Sequence, residues 1–277
     1  MIISDEHGYV FVEQPHTACT AIRDELVAHY GGRSILDRHA TYAAFRRVAT
    51  PAQKRYFVFS GMRNPLDERV SLYCKFRNDH HHKYSRQFRR MAERQQHAFV
   101  EVADEHADFG TFLRHYNRRP YDNDMLIFHA RMDDLIRFEH LQEDFSRVLR
   151  RLGLRQVRPV PVVNATAERG SYLDYYPPEL RGHAVRVFGP FMRRWGYELP
   201  PEWGDVRVPI AWTVGYRVLG AVRYVYRRYL NVGRLNVRRR ATNPVLRRFD
   251  SIAGPLKRTA YQLFGPLLAS AGLIALS

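Results

Sequence analysis

Residues 10 to 22, VFVEQPHTACTAI, pass from an apolar run through a proline and small hydroxyl-bearing residues into a helical pattern. Strand, short loop and helix in that order aim unpaired backbone N–H groups and the positive end of a helix dipole at an anion. His16 sits in mid-loop, where an anion site wants a cation, followed by Thr17, Ala18, Cys19, Thr20 and Ala21. A second stretch, RYFVFSGMRNPLDERVSLYCKF, repeats the design. There Arg63 at a strand end offers a forked, permanently charged donor to a phosphate, and Ser71 adds a hydroxyl on the next helix. No GxxxxGK followed by Ser or Thr occurs, so the first loop is not a Walker A site and nucleotide triphosphate hydrolysis is disfavoured.

Three strand-helix units must position these residues. The first reads as strand 9–14, loop to 18 and helix to 30, closed by Gly31 and Gly32. The second is strand 56–59, a turn at 61–64 and a helix opened by Pro65. The third is strand 134–138 and a helix whose Leu141, Phe145, Val148, Leu149 and Leu152 share one face, ended by Gly153. A final helix over 177–195 is expected to break near Gly189 and Pro190, and the polar, histidine-rich residues 77–124 read as a surface insertion. Alternating strands and helices predict an α/β fold with a mostly parallel sheet covered on both faces.

The 277 residues, 45% hydrophobic, suffice for one sizeable core and an appendage. We place the main domain at 1–204 and a basic helical extension at 205–277. From 205 onward thirteen Arg or Lys face only Asp205 and Asp250, so much of the net charge of +16 lies there. That charge implies an anionic partner: nucleic acid, a membrane surface, or a phosphorylated or sulfated ligand. For nucleic acid there is charge but no recognisable binding module. The two cysteines, Cys19 and Cys74, form neither a disulfide framework nor a metal-ligand spacing, and the N-terminal stretch has no signal-peptide pattern, so a cytoplasmic protein without a metal is expected.

Three stretches together resemble the nucleotide-dependent sulfotransferases, particularly the carbohydrate branch with its heparan and chondroitin enzymes. PHTACT resembles that family's PKTAGT phosphosulfate loop, and MRNPLDERVSLY its VRNPxxRxxSxY, whose arginine and serine hold the cofactor's 3′-phosphate. The pair LIRFEHLQEDFSRVLRRLGL and VPVVNATAERGSYLDYY resembles the family's helix after the strand and its Asn-containing loop before the final helices. The likeness covers most of residues 9–197. It implies a P-loop-like three-layer fold and 3′-phosphoadenosine 5′-phosphosulfate (PAPS) as donor, held by residues 16–21, Arg63, Ser71 and Arg169. The implied acceptor is a hydroxyl on a carbohydrate or glycolipid. His16 stands where the family has its loop lysine, and Cys19 where it has a glycine. A histidinium between phosphate oxygens substitutes for the lysine, or the site has altered chemistry or lost activity. In LDRHATYAAF the resemblance makes His39 the general base, with Asp37 or Glu13 as substitute.

Other candidates have plainer readings. His80, His81 and His82 are adjacent on a loop and cannot converge on one ion. Glu139 caps or braces the following helix. IAWTVGYRVLGAVRYVYRRYL reads as a helix with Trp212, Tyr216, Leu219, Val222 and Tyr226 on one face, Arg217, Arg223, Arg227 and Arg228 toward the other. It either lies on an anionic membrane or packs on the core. Two functions therefore stand: a sulfotransferase peripherally attached to the inner face of the membrane, or a catalytically silent relative whose basic tail binds membrane or another polyanion.

Overall fold

The computed structural model describes residues 1–78, 96, 99–100, 102, 108–121, 132–161 and 170–225. Two short strands open the chain: β1 (Ile2–Ser4) and β2 (Tyr9–Val12) form an antiparallel hairpin with Ile3 opposite Val10. Helix α1 (Cys19–His29) follows, ended at Gly31 and Gly32, and β3 (Arg33–Ser34) pairs antiparallel with β1. Helix α2 (Tyr42–Val48) leads to β4 (Phe57–Met62), then α3 (Pro65–Arg77) and α4 (Phe109–Tyr116). Strand β5 (Asp134–Arg137) and helix α5 (Leu141–Arg151) form the third strand-helix unit. Helices α6 (Pro178–Trp195) and α7 (Ile210–Val225) complete the described elements.

The sheet runs β3-β1-β2-β4-β5. Its inner half, β2-β4-β5, is parallel, with Val10 beside Val58 and Ser60 beside Leu135. The outer half is antiparallel, so the sheet is mixed. The pleat sorts the side chains: Tyr9 and Phe11 join Phe59, Ile136 and the buried faces of α1 and α5, whereas Val10, Val12 and Val58 join Tyr42 and Phe45 of α2. A further cluster unites α3, α4 and α6 through Leu66, Phe112, Phe188 and Phe191.

Several expectations are corrected. The hairpin and β3 precede and flank the first strand-helix unit, because three- and two-residue strands carry little periodic signal. Gly61 and Met62 belong to β4 and not to the turn after it. The insertion at 77–124 is not all surface, since Phe109, Phe112 and Leu113 of α4 are buried. Helix α6 runs unbroken through Pro190, which with Gly189 lies on the buried side; burial of Val187, Phe188, Phe191 and Met192 around it outweighs the roughly 3 kcal/mol of an interior proline. Gly189 is seated on Val208, whose Cγ1 an added Cβ would approach to 3.2 Å.

The chain divides into units Met1–Tyr216 and Arg217–Ser277. Within the first unit, Trp212 and Tyr216 pack against the α3–α6 cluster, which gives that part of the predicted basic helix a core role. His80 to His82 and Tyr226 to Ser277 lie outside the described residues. Among the described residues no helix is long and apolar enough to cross a membrane, and no cluster could hold a metal ion.

Candidate functional site

Because β2 and β4 are adjacent and parallel, the turns that follow them lie at the same edge of the sheet, where open α/β sheets bind ligands. The first turn, residues 13–18, carries two left-handed non-glycine residues, His16 at φ 65° and Ala18 at φ 58°. Such backbone costs about 1 kcal/mol per residue and persists only where packing imposes it. Here the imposing contacts are visible. Thr17 is buried, its hydroxyl donates to the Gln14 carbonyl oxygen at 2.9 Å, and the residue rests on Gly61 of β4. Only glycine leaves room, since a Cβ at Gly61 would lie 2.8 Å from Thr17 Cβ and 2.9 Å from Thr17 O.

Ala18 is the N-cap of α1 and supplies no side-chain acceptor. Thr41, Asn64 and Asp108 cap α2, α3 and α4 through their side chains, whereas α5 and α6, like α1, have no side-chain cap. The first turn of α1, from Cys19 to Ala21, therefore presents its donors uncapped. Burial pushes the Cys19 thiol above its ordinary value, against the pull of Arg38 beside it.

His16 is partly buried, and burial lowers its pKa to about 4; Lys75, Arg69 and Arg63 push the same way and Glu68 opposes them. The ligand-free imidazole is accordingly neutral at pH 7. The positive charge of the expected loop cation is thus absent from the ligand-free loop.

His39 also has left-handed backbone, φ 61°, and is exposed. Its Nδ1 lies 2.9 Å from the Glu13 carbonyl oxygen, which can only accept, so Nδ1 carries a proton. The side chain of Glu13 is fully buried and receives the Met1 ammonium, with Arg38 Nε at 3.5 Å and Arg23 Nε at 3.9 Å. That ammonium also donates to Leu36 O at 3.3 Å and Asp37 O at 3.2 Å. One carboxylate thereby fixes the segment bearing His39 to the end of β2, and Glu13 is a brace buried away from any acceptor.

The second turn is centred on Arg63, 7% exposed. Its Nε donates to Asp67 at 2.6 Å, Nη1 donates to the His16 carbonyl oxygen at 3.4 Å, and its plane lies 4.0 Å from the Phe138 ring centroid. Nη2 has no partner among the described residues. Ser71 is buried in the second turn of α3. Glu139 braces α3 and not the helix after it: Asn64 N donates to Oε1 at 2.6 Å and the Tyr197 hydroxyl to Oε2 at 3.1 Å. Burial and this carboxylate raise the Tyr197 pKa.

The structure thus brings His16, Thr17 and Arg63 together, and places Cys19, Thr20, Glu13 and His39 around Arg38. Arg169 lies outside the described residues. Sequence reasoning passed over Arg38, whose Nη2 donates to Thr20 Oγ1 at 2.7 Å; adjacency to His39 was the available signal. A separate cavity of about 620 Å³, lined among others by Leu135, Arg137, Asp144, Arg147 and Trp195, lies along β5 and α5 and includes no residue of either turn. Its Asp134 is already paired with Arg147 and Arg151, each at 2.8 Å. Compared with protein families, characterised proteins and solved structures, the chain matches none of them.

Proposed function

We propose that the chain is a PAPS-dependent sulfotransferase of P-loop-like fold acting on a hydroxyl of a carbohydrate or glycolipid. The observation that carries this reading is the pairing of two turns on adjacent parallel strands, one opening an uncapped helix and the other holding the cation Arg63. A ligand with anionic groups at two separated positions fits such a pair. When bound, PAPS supplies the sulfuryl group. The backbone donors at the start of α1 would hold its 5′ end, and Arg63 Nη2 its 3′-phosphate. Ser71, buried on α3, and Arg169 are the remaining contacts that the resemblance implies.

The base we propose is His39. In the neutral ring the proton on Nδ1 leaves Nε2 to take the acceptor hydroxyl's proton, and the Glu13 carbonyl holds the imidazolium that results. His16 would bind as a cation only once phosphate oxygens lie beside it. One departure bears on the second motif: counting from Arg63 places Glu68 at its second arginine. Arg69, next in line, is held beside Glu68 at 3.2 Å and over the Tyr116 and Tyr121 rings. The basic tail, with exposed Ile210 and Val214 on α7, supports attachment to an anionic membrane surface.

Calorimetric titration with 3′,5′-adenosine bisphosphate tests the reading. Wild type should bind, and Arg63→Lys, which keeps charge but loses the fork, should bind about tenfold more weakly. A folded wild type that does not bind refutes it. The neutral His16 favours one other reading, a catalytically silent relative whose basic tail binds membrane or another polyanion; salt-dependent binding to anionic vesicles or a polynucleotide without nucleotide affinity would select it.

A further inference from the structure

The loop after β2 contains no lysine or arginine, and His16 is neutral in the free protein. A permanent positive charge nevertheless stands at the start of α1, supplied from another segment. Arg38 donates through Nη2 to Thr20 Oγ1 at 2.7 Å, and its Nε lies 3.5 Å from Glu13 Oε1. The guanidinium is therefore held beside the first turn of α1 and the Cys19 thiol, yet remains 45% exposed. Its backbone is fixed as well, because Met1 binds the carbonyls of Leu36 and Asp37 and the next residue, His39, binds Glu13 O. Glu13 Oε1 accepts no hydrogen bond, so Arg38 Nε is ion-paired with it at 3.5 Å without being hydrogen-bonded to it.

From this cluster we propose that Arg38 is the cation of the 5′ anion site, doing for the group bound at the N-terminus of α1 what a lysine within the loop would do. The proposal rests on the sulfotransferase reading and names a residue that reading does not contain. Arg38 and His39, consecutive in sequence, then present charge and base from one pinned segment. An anion at the start of α1 would take the guanidinium's exposed N–H groups in a fork that Thr20 Oγ1 already orients.

The test separates the two ends of the nucleotide. Wild type, Arg38→Ala and Arg38→Lys are titrated with 3′,5′-adenosine bisphosphate and with adenosine 3′-monophosphate, which lacks the 5′-phosphate. The expected result is that Arg38→Ala loses about 10- to 100-fold affinity for the bisphosphate while binding the monophosphate as wild type does. Arg38→Lys recovers part of the loss. Equal affinity of wild type and Arg38→Ala for the bisphosphate overturns the proposal. So does an equal loss for both ligands, which would mean only that the loop had been disturbed. If wild type binds neither nucleotide, the sulfotransferase reading fails and this proposal fails with it. Wild-type binding with an indifferent Arg38→Ala sinks the Arg38 assignment alone.

Discussion

Gly61→Ala should damage the loop after β2 from a position on the neighbouring strand. The added Cβ would sit 2.8 Å from Thr17 Cβ and 2.9 Å from Thr17 O, with Thr17 Oγ1 closer still. Carbon atoms rest at about 3.5 Å or more, so the loop must retreat by roughly 0.7 Å. Thr17 cannot simply rotate away, because it is buried and its hydroxyl is bonded to Gln14 O. Overpacking of this kind costs about 1–3 kcal/mol, and loss of the Thr17 hydrogen bond about 1 kcal/mol. Replacing glycine within a strand returns roughly 0.5 kcal/mol. The expected net loss is about 2–3 kcal/mol. At a urea dependence of about 2 kcal/mol/M, the unfolding midpoint should fall by about 1 M. The double variant Gly61→Ala/Thr17→Ala removes Oγ1 from the clash but leaves Cβ and the carbonyl, so a cycle should return a coupling of about 1 kcal/mol. A Gly61→Ala midpoint within about 0.2 M of wild type would refute this account of the loop's seat.

Two further outcomes are expected. His16, at about pKa 4 folded against about 6.5 unfolded, contributes stability that is whole above pH 6.5 and is lost as pH falls toward 4. Up to about 3 kcal/mol should disappear across that window in chemical denaturation, and His16→Asn should flatten that part of the profile; an unchanged profile would show that the imidazole titrates normally. Arg63→Ala removes one charged partner, at 2.6 Å, from the buried Asp67 carboxylate, and should cost about 2–3 kcal/mol by urea unfolding. Arg63→Ala/Asp67→Asn should lose clearly less, and equal losses would show that the buried charge is not the cause.

The elements written in local pattern were legible in sequence. Gly31 and Gly32 close α1, Pro65 opens α3, and the Leu141 to Leu152 face marks α5, because each signal lies within a turn or two of the element it defines. Strands of two or three residues gave no such signal, and Pro190 gave a misleading one because the packing of α6 is set by distant residues. The candidate site divides in the same way. His16 and Arg63 could be nominated from their own turns. The Thr20–Arg38 bond, the Gly61 seat beneath Thr17 and the reach of Glu139 to Asn64 join residues far apart in sequence, and only the fold reveals them.

The hydrogen bond from Arg63 Nη1 to the His16 carbonyl makes the two turns thermodynamically one system. Any ligand group that draws the guanidinium outward takes a donor from the loop's own backbone, and any group that reshapes the loop changes what Arg63 has left to give. Whatever factor the first alters the second by, the second must return to the first, because linkage between binding sites is reciprocal. On the proposed function, a nucleotide bearing both groups would meet a coupled pair, whose total affinity is not the product of the affinities of its halves.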